Sequence, residues 1–124
     1  MSMMQSAQTT VIDTEQLQTL AAAAGVDAAN AILDAFWSSC EDLLVLLRDS
    51  FRDQNFDEMS KAAHALKGSA MNLGAVQLAE RAKTIESGAR ERNLETVQQA
   101  FLKLAGDISQ SRGAFQDLMQ SIAA

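Results

Sequence analysis

Apolar residues recur along this chain in steps of three and four, and short polar interruptions divide them into separate stretches, so the pattern reads as one amphipathic helix after another. Ile32, Leu33, Phe36, Cys40, Leu43, Leu44, Leu47 and Phe51 form one broad apolar face. Met59, Ala63, Leu66, Ala70 and Leu73 form a narrower stripe, and Leu78, Ala82, Ile85 and Ala89 form a third. Leu94, Val97, Phe101, Leu104, Ile108, Phe115, Leu118 and Ile122 make a long fourth stripe in steps close to those of a coiled-coil seam. A shorter segment with Leu17 and Leu20 on one side precedes them all.

The interruptions carry the chemistry of helix ends. Asp13, followed by Glu15 and Gln16, marks the start of the short helix, which ends before Gly25. Asp27 is then the expected cap of the next helix. Asn55 with Glu58 three residues later resembles a capping box, and Gly74 after Leu73 suits a left-handed helix stop. Asn93 caps the final helix, which Gly106 and Gly113 are expected to bend or loosen. Residues 1–12 are small and polar without periodicity and read as a loose tail before a single domain over 13–122. Helices joined by such short loops pack as antiparallel neighbours. The expected fold is therefore all-α: an antiparallel up-down-up-down four-helix bundle with the short N-terminal helix across one end.

Composition narrows the function. The chain has 124 residues, enough for one core, and contains no proline and no tyrosine. A net charge of −6 excludes the basic stripe that a nucleic-acid surface needs. The lone cysteine, Cys40, has no internal disulfide partner and sits before Leu43, Leu44 and Leu47, as a buried thiol in a reducing compartment would. The first residues lack the basic start and apolar core of a signal peptide, and no apolar stretch is long enough to span a bilayer. The expectation is a cytoplasmic protein without membrane contact. With one histidine and an apolar setting for Cys40, no metal site is expected.

One segment departs from ordinary helix chemistry. On a helical wheel His64 points roughly 140° and Gly68 roughly 180° from the centre of the Met59 to Leu73 stripe, with Met71 at roughly 120° and Lys67 at roughly 80°. The only histidine therefore faces solvent. A glycine inside a helix costs about 1 kcal/mol relative to alanine, and this one lies one turn beyond the histidine on the same face. It reads as clearance for a surface that docks over the imidazole. Ser69, by contrast, can satisfy itself on the preceding turn's carbonyl.

The run Ala63-His64-Ala65-Leu66-Lys67-Gly68-Ser69-Ala70, continued by Asn72-Leu73-Gly74-Ala75 and preceded by Asn55-Phe56-Asp57-Glu58, resembles the histidine-containing phosphotransfer (HPt) domain family of phosphorelays. The resemblance covers about residues 13–122. It implies that His64 is the phosphoacceptor, that Lys67 offsets phosphoryl charge and that Gly68 gives clearance to the partner. It also suggests Glu86 as the acceptor for one imidazole nitrogen; the wheel places Glu86 on a flank roughly 80° from its helix's apolar centre without saying which flank. The implied partners are receiver domains of response regulators or hybrid histidine kinases. Magnesium is expected on the receiver, and no cofactor on this chain.

The implied mechanism is a shuttle: His64 takes a phosphoryl group from one receiver aspartate and gives it to another. An imidazole in water is mostly neutral and nucleophilic near pH 7, so orientation matters more than activation. A full histidine kinase would need a nucleotide lobe, for which there is neither room nor a glycine-rich loop, and ATP alone is not expected to label the chain. The competing reading is a helical adaptor that binds receivers or kinases without phosphotransfer, through exposed apolar residues such as Trp37 or Met71. A monomer is expected, with dimerisation along the last helix's seam left open. Partner specificity would lie around His64, at Lys61, Lys67, Met71 and Lys83.

Overall fold

The computed structural model describes residues 10–123, so most of the expected N-terminal tail lies outside the described residues. Five helices follow one another: α1 (Glu15–Ala24), α2 (Val26–Arg52), α3 (Phe56–Leu73), α4 (Val76–Arg90) and α5 (Leu94–Ala123). Linkers of one to three residues join them, so each of α3 to α5 reverses direction against its predecessor. The result is the expected up-down-up-down bundle. Its tightest seam is α3 against α4, followed by α4 against α5 and α2 against α3, whereas α2 and α5 meet only lightly. The short α1 packs on α2 and α3 at the end that holds the α3–α4 turn.

The helix ends follow local chemistry, with two adjustments. Asp13 Oδ1 accepts from the Glu15 N–H at 3.0 Å and so starts α1. Gly25 ends it at φ 98°. The same glycine's carbonyl accepts from the Ala29 N–H, so α2 begins at Val26 and Asp27 lies inside its first turn. Asp27 is therefore not the cap; it faces the positive end of the helix dipole. Asn55 Oδ1 accepts from the Glu58 N–H at 3.1 Å, as a capping box requires. The reciprocal bond is replaced: the Asn55 N–H donates to the Ser50 carbonyl, and Glu58 pairs with Lys61. Asn93 caps α5 through the Thr96 N–H. Gly106 and Gly113 leave α5 unbroken, because the helix has no steric or hydrogen-bond reason to stop there.

The core is built from the expected stripes, with their centres shifted. Leu33, Phe36, Cys40 and Leu47 of α2 are buried, but Ile32 is exposed and Leu43, Leu44 and Phe51 are half-buried. Trp37, a candidate exposed contact, is only 6% exposed. Its ring meets Phe36 and Phe115 edge-on at 4.8 and 6.1 Å, and the Arg112 guanidinium covers it at 5.3 Å. It is core, not a docking residue. In α5 the innermost line is Val97, Ala100, Leu104, Asp107, Ser111, Phe115 and Met119, while Phe101, Ile108, Leu118 and Ile122 flank it. Asp107 is tolerated inside because Arg81 and Gln77 of α4 both donate to its carboxylate.

Part of the expected loose tail is docked. The Asp13 N–H donates to the Gly74 carbonyl at 2.7 Å, the Gln77 N–H donates to the Val11 carbonyl at 3.1 Å, and Ile12 packs on the core. The chain before α1 thus straps the α3–α4 turn. Gly74 is required there twice over. Its φ of 94° is left-handed, and a Cβ would collide with the Asp13 carbonyl and lie 2.8 Å from Gln16 Oε1. Gly74→Ala is expected to destabilise the fold by about 2 kcal/mol, combining left-handed backbone strain with loss of the strap. Urea denaturation followed by circular dichroism checks this, and an unchanged midpoint would refute the strap's contribution.

Candidate functional site

Small residues bring α3 and α4 together. Ala62, Ala63 and Ala70 on one helix and Ala79, Ala82 and Ala89 on the other are all buried, and helix axes approach more closely where the side chains between them are small. Across this narrow seam a side chain on α4 can reach the outer face of α3. Glu86 does so: its side chain is 3% exposed, yet its carboxylate meets His64 at the surface.

His64 stands where the wheel puts it. Its side chain is 65% exposed, on the helix face opposite Ala63 and Leu66, which are buried. Nδ1 lies 2.9 Å from Glu86 Oε2. An ionised carboxylate only accepts, so Nδ1 carries the hydrogen and Nε2 is left with its lone pair. Among the described residues Nε2 makes no hydrogen bond. One turn on, an added Cβ at Gly68 would meet nothing within 4 Å, so the approach to the ring is open. Met71 continues this face as an exposed apolar residue, and Lys61 and Lys83 are exposed on the same two helices.

Glu86 is the hub of the site. Lys67 Nζ lies 2.8 Å from Oε1, and Arg90 donates to Oε2 at 2.7 Å from one turn along α4. Burial pushes the carboxyl's pKa up, but the hydrogen bonds from Lys67 and His64 and the charges of Lys67 and Arg90 outweigh it, so the pKa lies below its ordinary value. One carboxylate against two cations leaves a surplus of positive charge beside the ring. The site can therefore receive an anionic group at Nε2 without recruiting further charge.

All four residues suggested by sequence, His64, Lys67, Gly68 and Glu86, converge. Two details were not legible in it. Lys67 is 26% exposed and is engaged with Glu86, so in this state it is a strut for the carboxylate rather than a free cation. Arg90 was missed; its only sequence signal is the four-residue spacing from Glu86, common to many surface ion pairs. Among the described residues no cluster of three or more His, Cys, Asp or Glu could hold a metal ion, and no helix is long and apolar enough to cross a membrane. Cys40 is buried, and burial raises its thiol pKa to about 11, which leaves it a poor nucleophile.

Comparison with known proteins points the same way. The family model described as "Hpt domain" matches residues 31–124. Phosphorelay protein LuxU of Vibrio harveyi is 29% identical over 87 residues, covering 70% of this chain and 76% of that protein. The crystal structure of histidine-containing phosphotransfer protein B (HptB) from Pseudomonas aeruginosa PAO1 superposes with a TM-score of 0.82 at 25% identity, covering 91% of this chain and 97% of that one.

Glu86 also gives the fold an acid sensitivity. Its carboxyl holds its proton less tightly folded than unfolded, so as pH falls the unfolded chain protonates first, around the ordinary value of 4.5. The stabilisation it provides is complete above that value and drains as pH falls through the lower folded value. Urea midpoints measured from pH 6 down to pH 3 are expected to drop more steeply for the native chain than for Glu86→Gln; parallel curves would contradict this.

Proposed function

The chain belongs to the Hpt domain family and is a histidine phosphotransfer protein of a two-component phosphorelay, and we propose that His64 is its phosphoacceptor, carrying the phosphoryl group between receiver-domain aspartates. The observation that supports this most directly is an exposed imidazole whose Nδ1 is held by a buried carboxylate while Nε2 makes no hydrogen bond among the described residues.

In loading, Nε2 attacks the phosphorus of a receiver's aspartyl phosphate. The P–O bond breaks with its electron pair returning to the aspartate, and a P–N bond forms. Unloading is the reverse onto a second receiver. Glu86 fixes the tautomer and ring orientation; Lys67 and Arg90 fix Glu86 and supply positive charge next to the incoming group. Gly68 leaves room for the receiver's surface. The partners of such a protein are response regulators or kinases of the relay. Receiver domains, whether in response regulators or in hybrid histidine kinases, fit the clear face around His64 best. Magnesium in this scheme belongs to the receiver. A cytoplasmic monomer suffices, since one bundle holds the whole site.

Phosphorylation by a phosphorylated receiver is expected to vanish in His64→Gln while the helical circular dichroism is unchanged; retained labelling would overturn the assignment. Gly68→Leu is expected to hold stability or raise it by up to about 1 kcal/mol, because helix propensity improves and nothing is crowded. Transfer should nonetheless slow by at least about tenfold through obstructed docking, roughly 1.4 kcal/mol in the transition state. Unchanged transfer kinetics would refute the clearance role.

A further inference from the structure

Along α3, His64 lies between two hollows of different character. Toward the end of α3, on its α2 side, Ile32, Ala35, Phe36, Ser39, Ser69 and Asn72 line one of about 330 Å³, and no charged residue borders it. Toward the start of α3, on its α4 side, Phe56, Asp57, Ser60, Lys61, Arg90 and Arg92 line another of about 370 Å³. Three of these last six are cations and one is an acid, in a chain whose net charge is −6.

The three cations are not equally free. Arg90 is spent on Glu86 at 2.7 Å, and Lys61 meets Glu58 loosely at 3.8 Å. Arg92 pairs with no carboxylate among the described residues; its guanidinium lies over the Phe56 ring, 5.6 Å from the centroid. The backbone holds it there. Arg92 follows α4 in the left-handed region at φ 56°, its N–H donates to the Ala89 carbonyl at 3.1 Å, and the Asn93 N–H donates to the Gly88 carbonyl at 2.8 Å. These bonds close a helix stop, and the turn carries the Arg92 side chain back across the first residue of α3. A guanidinium resting on an aromatic ring still offers its N–H donors and has already given up much of its rotamer freedom, so pairing with an incoming anion costs it little entropy.

Ser60 and Lys61 precede His64 by one helical turn, about 5 Å along the axis. A protein interface of ordinary size buries about 800 Å² on each partner, a patch roughly 30 Å across. Any receiver that brings its aspartate to Nε2 therefore covers this hollow. A partner that is neutral there strips water from Arg92 without replacing it, whereas a carboxylate pairs with it where the docked surfaces exclude solvent and a charge pair is worth more than in open water.

We propose that the hollow between Arg92, Lys61 and Ser60 receives an aspartate or glutamate side chain of the docking receiver, other than the aspartate that exchanges phosphate, and that Arg92 is a specificity-determining residue of the transfer. This rests on His64 being the phosphoacceptor. With charge on one side of the imidazole and an uncharged hollow on the other, a receiver is accepted in one orientation, and receivers that lack the acid load the histidine poorly.

The test is transfer to the full-length chain from the phosphorylated response regulator that loads it fastest, measured over receiver concentration in about 0.05 M and about 1 M salt. Arg92→Gln is expected to raise KM about fivefold in low salt, the size of one charge pair at a contact rim, and less than about twofold in high salt, where such a pair is screened. Arg92→Lys should recover most of the loss, and Arg92→Glu should deepen it. A receiver variant with one surface acid changed to lysine should then restore transfer to Arg92→Glu. The proposal is overturned if Arg92→Gln keeps the native KM in low salt, if its defect is equal at both salts, as a defect of folding is, or if a scan of the receiver's surface acids finds none whose change to lysine rescues Arg92→Glu. A native KM that does not rise with salt overturns it without any variant. Labelling with phosphoramidate, which needs no receiver, separates the two readings: a native chain that takes up no phosphate, or no more than His64→Gln does, overturns the phosphoacceptor assignment, and this proposal with it.

Discussion

A buried carboxylate that must be satisfied from the surface is the constraint around which this molecule is organised. Removing Glu86 from water costs several kcal/mol unless donors surround it, and three donors do: His64, Lys67 and Arg90. Two of these come from different turns of α3 and one from α4, so the carboxylate is met only at one register of the two helices. The alanine-lined seam provides the close approach, and the ion cluster selects the register within it. Fold and site are here the same set of contacts.

The rest of the bundle supports that seam unequally. On the far side of α4, Arg81 and Gln77 pin the buried Asp107 of α5, so α4 is held on both flanks by polar contacts of defined geometry. At the turn that ends α3, Gly74 accepts the strap before α1. α2 and α5 meet lightly, through Trp37, Phe115 and the covering Arg112. Rigidity is thus concentrated on the two helices that carry the reacting group. That suits a protein whose chemistry depends on one ring's orientation and on a partner supplying everything else.

Much of this was legible in the residues alone. Hydrophobic period gave the helix number and the outward direction of His64, because one residue's azimuth on a helix depends only on its neighbours along the chain. Capping residues placed most helix ends within a residue or two. Errors came where several local solutions compete. Gly25 serves two helices and displaces Asp27 from the cap, the Asn55 N–H finds the Ser50 carbonyl instead of the Glu58 carboxylate, and Val11 and Ile12 look like tail but are docked at a turn far along the chain.

What the sequence by itself determined is therefore the set of helices, their antiparallel order and the exposed histidine with its clear neighbour at Gly68, all of which follow from local periodicity and short linkers. Only tertiary structure decided which flank of α4 turns toward His64, that Lys67 braces the carboxylate, and that Arg90 belongs to the site. Ile32, expected on the buried face of its helix, likewise turned outward once helix met helix. The physical reason is common to all of these: an azimuth is local, but the partner of a side chain across a helix seam depends on the rotation and register of two helices at once, which no single stretch of sequence encodes.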